Sequence, residues 1–123
     1  MKTKHDHARP YVTKDGSVIR ELFHPDRHGG GRMSLAEAVV PPGRETAPHS
    51  HLGSEELYHV LSGRGRMRLE RREFELLPGD TVRIEPGQVH SVLNEGEEDL
   101  VFLCLCAPPY SHHDTELEED AAG

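Results

Sequence analysis

Residues 43–63 read GRETAPHSHLGSEELYHVLSG, and no other part of the chain says as much about its architecture. His49 and His51 are two residues apart, so on an extended strand both imidazoles point to the same face. Glu56 begins the next strand pattern, and a turn containing Gly53 separates it from the histidine pair. A hairpin at this turn would bring a carboxylate beside two imidazoles.

A third histidine, His90, follows the Pro86-Gly87 turn and opens another short strand pattern. Three neutral imidazoles and one carboxylate that converge inside a barrel would form a site for a first-row transition metal. These ligand types allow Fe, Mn, Ni, Co, Cu or Zn. We therefore expect one divalent transition metal ion per chain, bound by His49, His51, Glu56 and His90.

Short patterns of period two, bounded by Gly and Pro, account for most of the remaining chain. Several short strands at this spacing predict an all-β sandwich or barrel. No segment keeps a period of 3.6 residues long enough to predict a helix. The other predicted strands are 17–23, 33–40, 56–62, 64–70, 72–77, 81–85 and 99–106.

The chain has 123 residues, which suits one domain. We expect residues 1–10 to form a flexible or partner-docked N-terminal arm, because they are polar and carry no pattern. Residues 11–110 are predicted to be the β-barrel domain. Residues 111–123 are predicted to be an acidic, solvated C-terminal tail.

Charge and composition narrow the list of partners and the cellular location. The formal net charge is -8 and the pI is about 5.6, which argues against nucleic-acid binding. No apolar run approaches the length of a membrane span, and residues 1–10 lack the apolar stretch of a signal peptide. The two cysteines, Cys104 and Cys106, are poorly placed to bridge each other and are expected to be reduced. We therefore expect a cytoplasmic protein with no nucleic-acid or membrane partner.

The spacing of these residues resembles the first motif of the cupins, specifically the small single-domain (type-2) members. That motif reads Gly, five residues, His-x-His, three or four residues, Glu, six residues, Gly. Gly43, the histidine pair, Glu56 and Gly63 meet every spacing. Glu55 fits one allowed offset from His51 but misses the spacing to Gly63, so Glu56 is the better ligand.

The second cupin motif is also present. It reads Gly, five residues, Pro, one residue, Gly, two residues, His, three residues, Asn, and Gly79, Gly87, His90 and Asn94 match it in register. The position of the first Pro is occupied by Glu85, which alters the turn without touching a ligand. Together the two motifs cover residues 43–94.

The resemblance implies a fold, an oligomeric state and a range of activities. The fold is an all-β double-stranded β-helix, or jelly-roll barrel, and many small cupins form homodimers partly through their N-terminal strands. The implied activities are those of dioxygenases, isomerases, decarboxylases and lyases. A metalloenzyme is therefore the first hypothesis, followed by a non-catalytic, metal-dependent small-molecule binding or sensor module, and by a purely structural metal.

The expected ligand chemistry follows from the charge of the site. A divalent ion with one carboxylate ligand leaves a local charge near +1, which favours a small anionic or oxygen-rich partner. By strand parity Tyr58 shares the inward face with Glu56 and is a candidate pocket-lining hydrogen-bond donor, whereas His59 faces the other way. The sequence leaves the orientation of Cys104 and Cys106 open.

Overall fold

A computed structural model describes residues 1–118 of the chain. Within these residues the chain forms eleven strands, a 3₁₀ turn at His5–His7 and one short helix, α1 (Pro25–His28). The strands are β1 (Tyr11–Val12), β2 (Val18–Phe23), β3 (Ser34–Val40), β4 (His49–His51), β5 (Glu55–Ser62), β6 (Gly65–Leu69), β7 (Arg72–Leu76), β8 (Thr81–Ile84), β9 (His90–Asn94), β10 (Leu100–Ala107) and β11 (Thr115–Leu117). None of the helices in this part of the chain is long and apolar enough to cross a bilayer.

The strands form two sheets in which every neighbouring pair is antiparallel. The six-stranded sheet has the order β1-β2-β3-β10-β5-β8, and the five-stranded sheet has the order β11-β4-β9-β6-β7. Strands adjacent in the sheets come from distant parts of the chain, as in β10 between β3 and β5. This arrangement confirms the all-β jelly-roll fold.

Alternating side chains give the barrel its core. In β3 the burial strictly alternates from Ser34 to Val40, and β5 and β10 follow the same period. The inward residues of these strands meet Met67, Val92 and other buried side chains of the five-stranded sheet. Phe102, Val60 and Val40 are each at most 2% exposed, so the two sheets enclose a closely packed apolar layer.

The predicted strands correspond to elements of the structure, with shifts of one or two residues at their ends. Two short strands, β1 and β11, lie outside the predicted set, and so do the 3₁₀ turn and α1. β11 lies within residues 111–123, the predicted acidic tail, and pairs with β4 over three residues. The end of that segment, 119–123, lies outside the described residues.

The N-terminal ten residues contact the six-stranded sheet. Thr3 donates a hydrogen bond to the carbonyl of Leu22 (2.6 Å), and His5 Nε2 lies 2.9 Å from Glu37 Oε1. The arm therefore packs against its own chain at these two points. The boundaries of the domain at residues 10 and 110 stay predictions.

Candidate metal centre

Three histidines converge between the two sheets. β4 and β9 are neighbours in the five-stranded sheet, and His49 pairs directly with His90. His51 lies two residues beyond His49, so its side chain points to the same face. One nitrogen atom from each of the three side chains lies within 4.8 Å of the other two, and all three residues are buried. Among the described residues, these three histidines form the group that could hold a metal ion.

Glu56 reaches this cluster from the opposite sheet. Its Oε1 lies 3.1 Å from Nε2 of His51 and 3.4 Å from Nε2 of His90. Its Oε2 accepts a hydrogen bond from the thiol of Cys106, the residue directly opposite it on β10 (3.1 Å). Glu55 instead points outward and pairs with Arg83 on the surface (2.7 Å). The structure thus brings Glu56, and not Glu55, to the three imidazoles.

The other ring nitrogen of each histidine is already engaged. Nδ1 of His49 lies 2.9 Å from the carbonyl of Ala47, and Nδ1 of His90 lies 3.0 Å from the carbonyl of Gln88. A carbonyl only accepts, so in the neutral ring the proton must be on Nδ1 and the lone pair on Nε2.

His51 reaches the same tautomer through a hydroxyl. Its Nδ1 lies 3.1 Å from Oγ1 of Thr115, and that hydroxyl donates its own proton to the carbonyl of Ser111 (2.8 Å). Oγ1 can therefore only accept from His51, which leaves the lone pair of this ring on Nε2 as well. All three histidines turn an unprotonated nitrogen toward the same point.

The donor set fits a metal ion. Three Nε2 lone pairs and a carboxylate oxygen are all acceptors, and Nε2 of His90 is buried with no hydrogen-bond donor among the described residues. Acceptors that face one another at 3.1–3.4 Å repel unless a positive charge, either a metal ion or a proton on His51, lies between them. Nitrogen-rich ligand sets of this kind suit first-row transition metals, and a metal-bound histidine usually donates its Nδ1 proton to an acceptor that fixes the orientation of the ring.

The pKa shifts reflect the same crowding. Burial, together with the neighbouring His90, lowers the pKa of His49 to about 4. Burial also opposes the charge on His51, but the Glu56 carboxylate outweighs it and raises the pKa of His51 above its usual 6.5. Burial likewise disfavours the Glu56 carboxylate, yet contact with His51 and His90 holds the pKa of Glu56 well below its ordinary value.

A cavity runs from the histidines along the inner face of the six-stranded sheet. Its volume is about 40 Å³, enough for about three water molecules or a few heavy atoms of a small ligand. Tyr58 lines it and packs between the rings of His90 and Phe102, at centroid distances of 5.6 and 4.7 Å. Its place on the inward face agrees with the strand parity.

Cys104 and Cys106 also line the cavity, which answers the question of their orientation. Both are free thiols. Burial, followed by the Glu56 carboxylate, raises the pKa of each thiol above its ordinary value. Both side chains are therefore neutral at physiological pH, and the Cys106 thiol acts as a hydrogen-bond donor to Glu56.

Two acidic residues at the site had no signal in the sequence. Oδ2 of Asp15 lies 3.6 Å from Nε2 of His49, and Glu21 lines the cavity from β2. Both lie more than twenty residues before the first motif. These two carboxylates change the net charge of the pocket. A divalent ion together with the Glu56 and Asp15 carboxylates would have no net charge, and the Glu21 carboxylate would then make the cavity negative. The expected local charge of +1 therefore does not describe the whole pocket.

A two-sheet antiparallel barrel that presents three converging histidines from β4 and β9 defines a jelly-roll protein of the cupin class. The family described as "Cupin domain" matches residues 36–106, more than half of the chain. The chain belongs to the cupin family.

Relatives of known sequence and structure agree with this assignment. An uncharacterized protein of Methanocaldococcus jannaschii is 50% identical over 97% of this chain and 95% of its own length. An oxalate-binding protein of Thermotoga maritima is 32% identical over 63% of this chain and 64% of its own. The crystal structure of a predicted oxalate decarboxylase of Thermotoga maritima superposes with a TM-score of 0.77 at 24% identity, covering 88% of this chain and 99% of that one. The last of these likenesses shows the fold alone.

Proposed function

We propose that this chain is a mononuclear metal-binding cupin that works as a metalloenzyme on a small oxygen-rich or anionic substrate. One observation carries the proposal: three Nε2 atoms and Oε1 of Glu56 converge on one point, while every Nδ1 is occupied by an acceptor. We assign His49, His51, Glu56 and His90 as the ligands of one divalent transition metal ion, from Fe, Mn, Ni, Co, Cu or Zn.

Different residues of the chain would have different roles at such a centre. A divalent ion bound there would act as a Lewis acid that orients and polarises an oxygen-bearing substrate. Four protein ligands leave room for substrate oxygens only on the cavity side, where Tyr58 and the two neutral thiols form a mainly apolar wall. Cys106 holds one oxygen of Glu56 and thereby directs the other oxygen toward the imidazoles.

The cavity lining limits the substrate class. Its residues include neither Lys nor Arg, the side chains that usually neutralise a phosphate group. The small volume also favours a molecule of a few carbon atoms over a phosphorylated sugar. A dioxygenase, decarboxylase, isomerase or lyase acting on a small, oxygen-rich molecule without a phosphate group is the activity class that these features support.

A second candidate function is reversible binding without turnover. It is favoured by the relative named for oxalate binding, which is 32% identical to this chain. A sensor or storage module would hold a small acid on the metal and return it unchanged. Product analysis after incubation with a panel of small hydroxy acids, keto acids and dicarboxylates, in air and without oxygen, separates binding from turnover.

The test of the proposal is the metal itself. The chain is purified without chelator or added metal, and its metal content is measured by inductively coupled plasma mass spectrometry. The expected result is about one transition metal ion per chain, restored by dialysis against Mn²⁺, Fe²⁺ or Zn²⁺ after removal. Failure of every one of the candidate divalent ions to bind would overturn the proposal.

We also propose that the chain is cytoplasmic and forms a homodimer. Two buried free thiols suit a reducing compartment. The outer face of the six-stranded sheet supports a contact between copies, because Leu105 lies beside Leu35 on one side and Leu57 on the other. These leucines, with Leu103, form a row that we call the leucine row, and they are only partly covered within one chain.

A further inference from the structure

The mouth of the cavity holds a carboxylate with one oxygen unused by the protein. Glu21 is 7% exposed, and its Oε1 accepts a hydrogen bond of 2.6 Å from the hydroxyl of Tyr11. Its Oε2 is buried and has no donor among residues 1–118. A buried acceptor that is left unpaired destabilises the protein, and a charged one does so more strongly.

Glu21 lies where the cavity meets the surface. Tyr11, Glu21 and Tyr110 line both the metal-centre cavity and an outer groove that continues to His24 and His113. The same cavity reaches the metal centre, since His51 and Glu56 also line it. Tyr110 contacts the ring of His51 edge-on at a centroid distance of 5.9 Å. A ligand that enters from the groove and binds the ion must pass these three side chains.

Tyr11 fixes the role of the carboxylate. Burial, together with the hydrogen bond to Glu21, raises the pKa of Tyr11, so the phenol keeps its proton and donates it to Oε1. The other acidic residues that line the cavity, Asp15 and Glu56, are also acceptors and offer Glu21 no donor. As a carboxylate, Oε2 of Glu21 can only accept.

We propose that Glu21 is a specificity-determining residue that accepts a hydrogen bond from a hydroxyl group of the ligand held at the metal. This inference rests on the proposed function and narrows it. The substrate class is a small hydroxy acid, with a carboxylate for the ion and a hydroxyl for Glu21. An acid with carboxylates at both ends would place an acceptor against Oε2 and bind more weakly.

The test uses two acids of the same carbon count, glycerate and malonate. Metal stoichiometry is first measured for the wild type and for Glu21→Gln, in the full chain loaded with Mn²⁺ or Zn²⁺. Binding of each acid is then measured by isothermal titration calorimetry. The wild type should bind glycerate at least about tenfold more tightly than malonate, because the hydrogen bond to a charged acceptor is lost with malonate.

Glu21→Gln should retain the metal, lose about tenfold or more in affinity for glycerate, and gain affinity for malonate. Glu37→Gln is the matched control on the neighbouring strand, since Glu37 points outward to His5 and Arg20, and it should leave both affinities unchanged.

The outcomes distinguish the two proposals. A chain that binds no divalent ion overturns the proposed function and this inference together. A metal-loaded wild type that binds neither acid, or prefers malonate, overturns the inference alone. An equal change of both affinities in Glu21→Gln also overturns it.

Discussion

At the scale of single residues, His90 is the most deeply buried of the four proposed metal ligands. It is fully buried, its Nδ1 faces the carbonyl of Gln88, and its Nε2 has no donor in the described part of the chain. Its imidazole therefore has one free lone pair, on Nε2, that is available to bind a metal ion.

Replacing His90 with Ala should reduce metal affinity more than about 100-fold, because the loss of a ligand exceeds the effect of removing a supporting residue. The measurement is a competition titration against a chromophoric chelator. His59→Ala is the control, since His59 lies on the outer face and contacts Thr81. Equal metal affinity in His90→Ala and His59→Ala would contradict the ligand assignment.

Glu56 and Glu55 are adjacent acids with opposite surroundings, and they form a matched pair. Glu56→Gln removes the charge that faces His51 and His90 and should lower metal affinity at least about tenfold. Glu55→Gln removes only a surface pair with Arg83 and should change the affinity less than about twofold. If Glu55→Gln empties the site while Glu56→Gln does not, the carboxylate ligand has been assigned to the wrong residue.

At the scale of elements, the short strand β11 acts on the site without entering it. It pairs with β4 so that Thr115 stands opposite His51. The Thr115 hydroxyl then accepts from Nδ1 of His51 and sets the tautomer of that ring. We therefore propose that β11 positions His51 for metal binding.

Thr115→Val should lower metal affinity about tenfold, because the variant keeps the shape of the side chain and removes the acceptor that orients His51. Thr81→Val is the matched control, since Thr81 makes the same contact with His59 outside the site (2.7 Å). Both variants are compared by metal titration and by thermal melting. A positioning role predicts weaker metal binding in Thr115→Val alone, whereas equal binding in the two variants would leave β11 with a structural role only.

The connection between β5 and β6 depends on a glycine of the first motif. Gly63 has φ +81°, and a Cβ there would meet the carbonyl oxygen of Asp99. Gly87 has a similar φ of +85° but open space around the missing Cβ. The two positions therefore separate backbone conformation from steric contact.

Gly87→Ala should destabilise the fold by about 1 kcal/mol, the cost of a left-handed conformation for a residue with a side chain. Gly63→Ala should cost about 2–4 kcal/mol, because the clash with rigid backbone adds to the same conformational term. Urea unfolding of the two variants gives both values. Similar losses at the two positions would mean that the Asp99 carbonyl moves away at little cost.

At the scale of the whole molecule, the sequence predicted the features that depend on a local residue pattern. The convergence of His49, His51 and His90 follows from motif spacing and the period of a strand, and it appears in the structure. Asp15 and Glu21 were not predicted as site residues. They lie near the motif residues only because the N-terminal strands fold over the cavity. Thr115 was not predicted either, because the acidic residues around it made its segment resemble a solvated tail.

The leucine row (Leu35, Leu57, Leu103 and Leu105) gives the whole molecule a second apolar surface, on the side of the six-stranded sheet that faces away from the metal centre. Isolated leucines on a surface need no explanation, but a registered row across the three neighbouring strands β3, β10 and β5 suits a contact with a second copy. A charge buried in such a contact without a partner weakens it by several kcal/mol.

Leu105→Glu should therefore convert a dimeric chain into a monomer, with dimer affinity reduced more than about 100-fold. Size-exclusion chromatography with light scattering measures the mass, and metal content shows that the barrel interior is intact. Leu52→Glu, at a 60% exposed position beside the Gly53 turn, introduces the same charge away from the row and should stay dimeric. A monomeric wild type would refute the homodimer, whereas a Leu105→Glu variant that remains dimeric would move the interface to another face, such as the edge formed by β1.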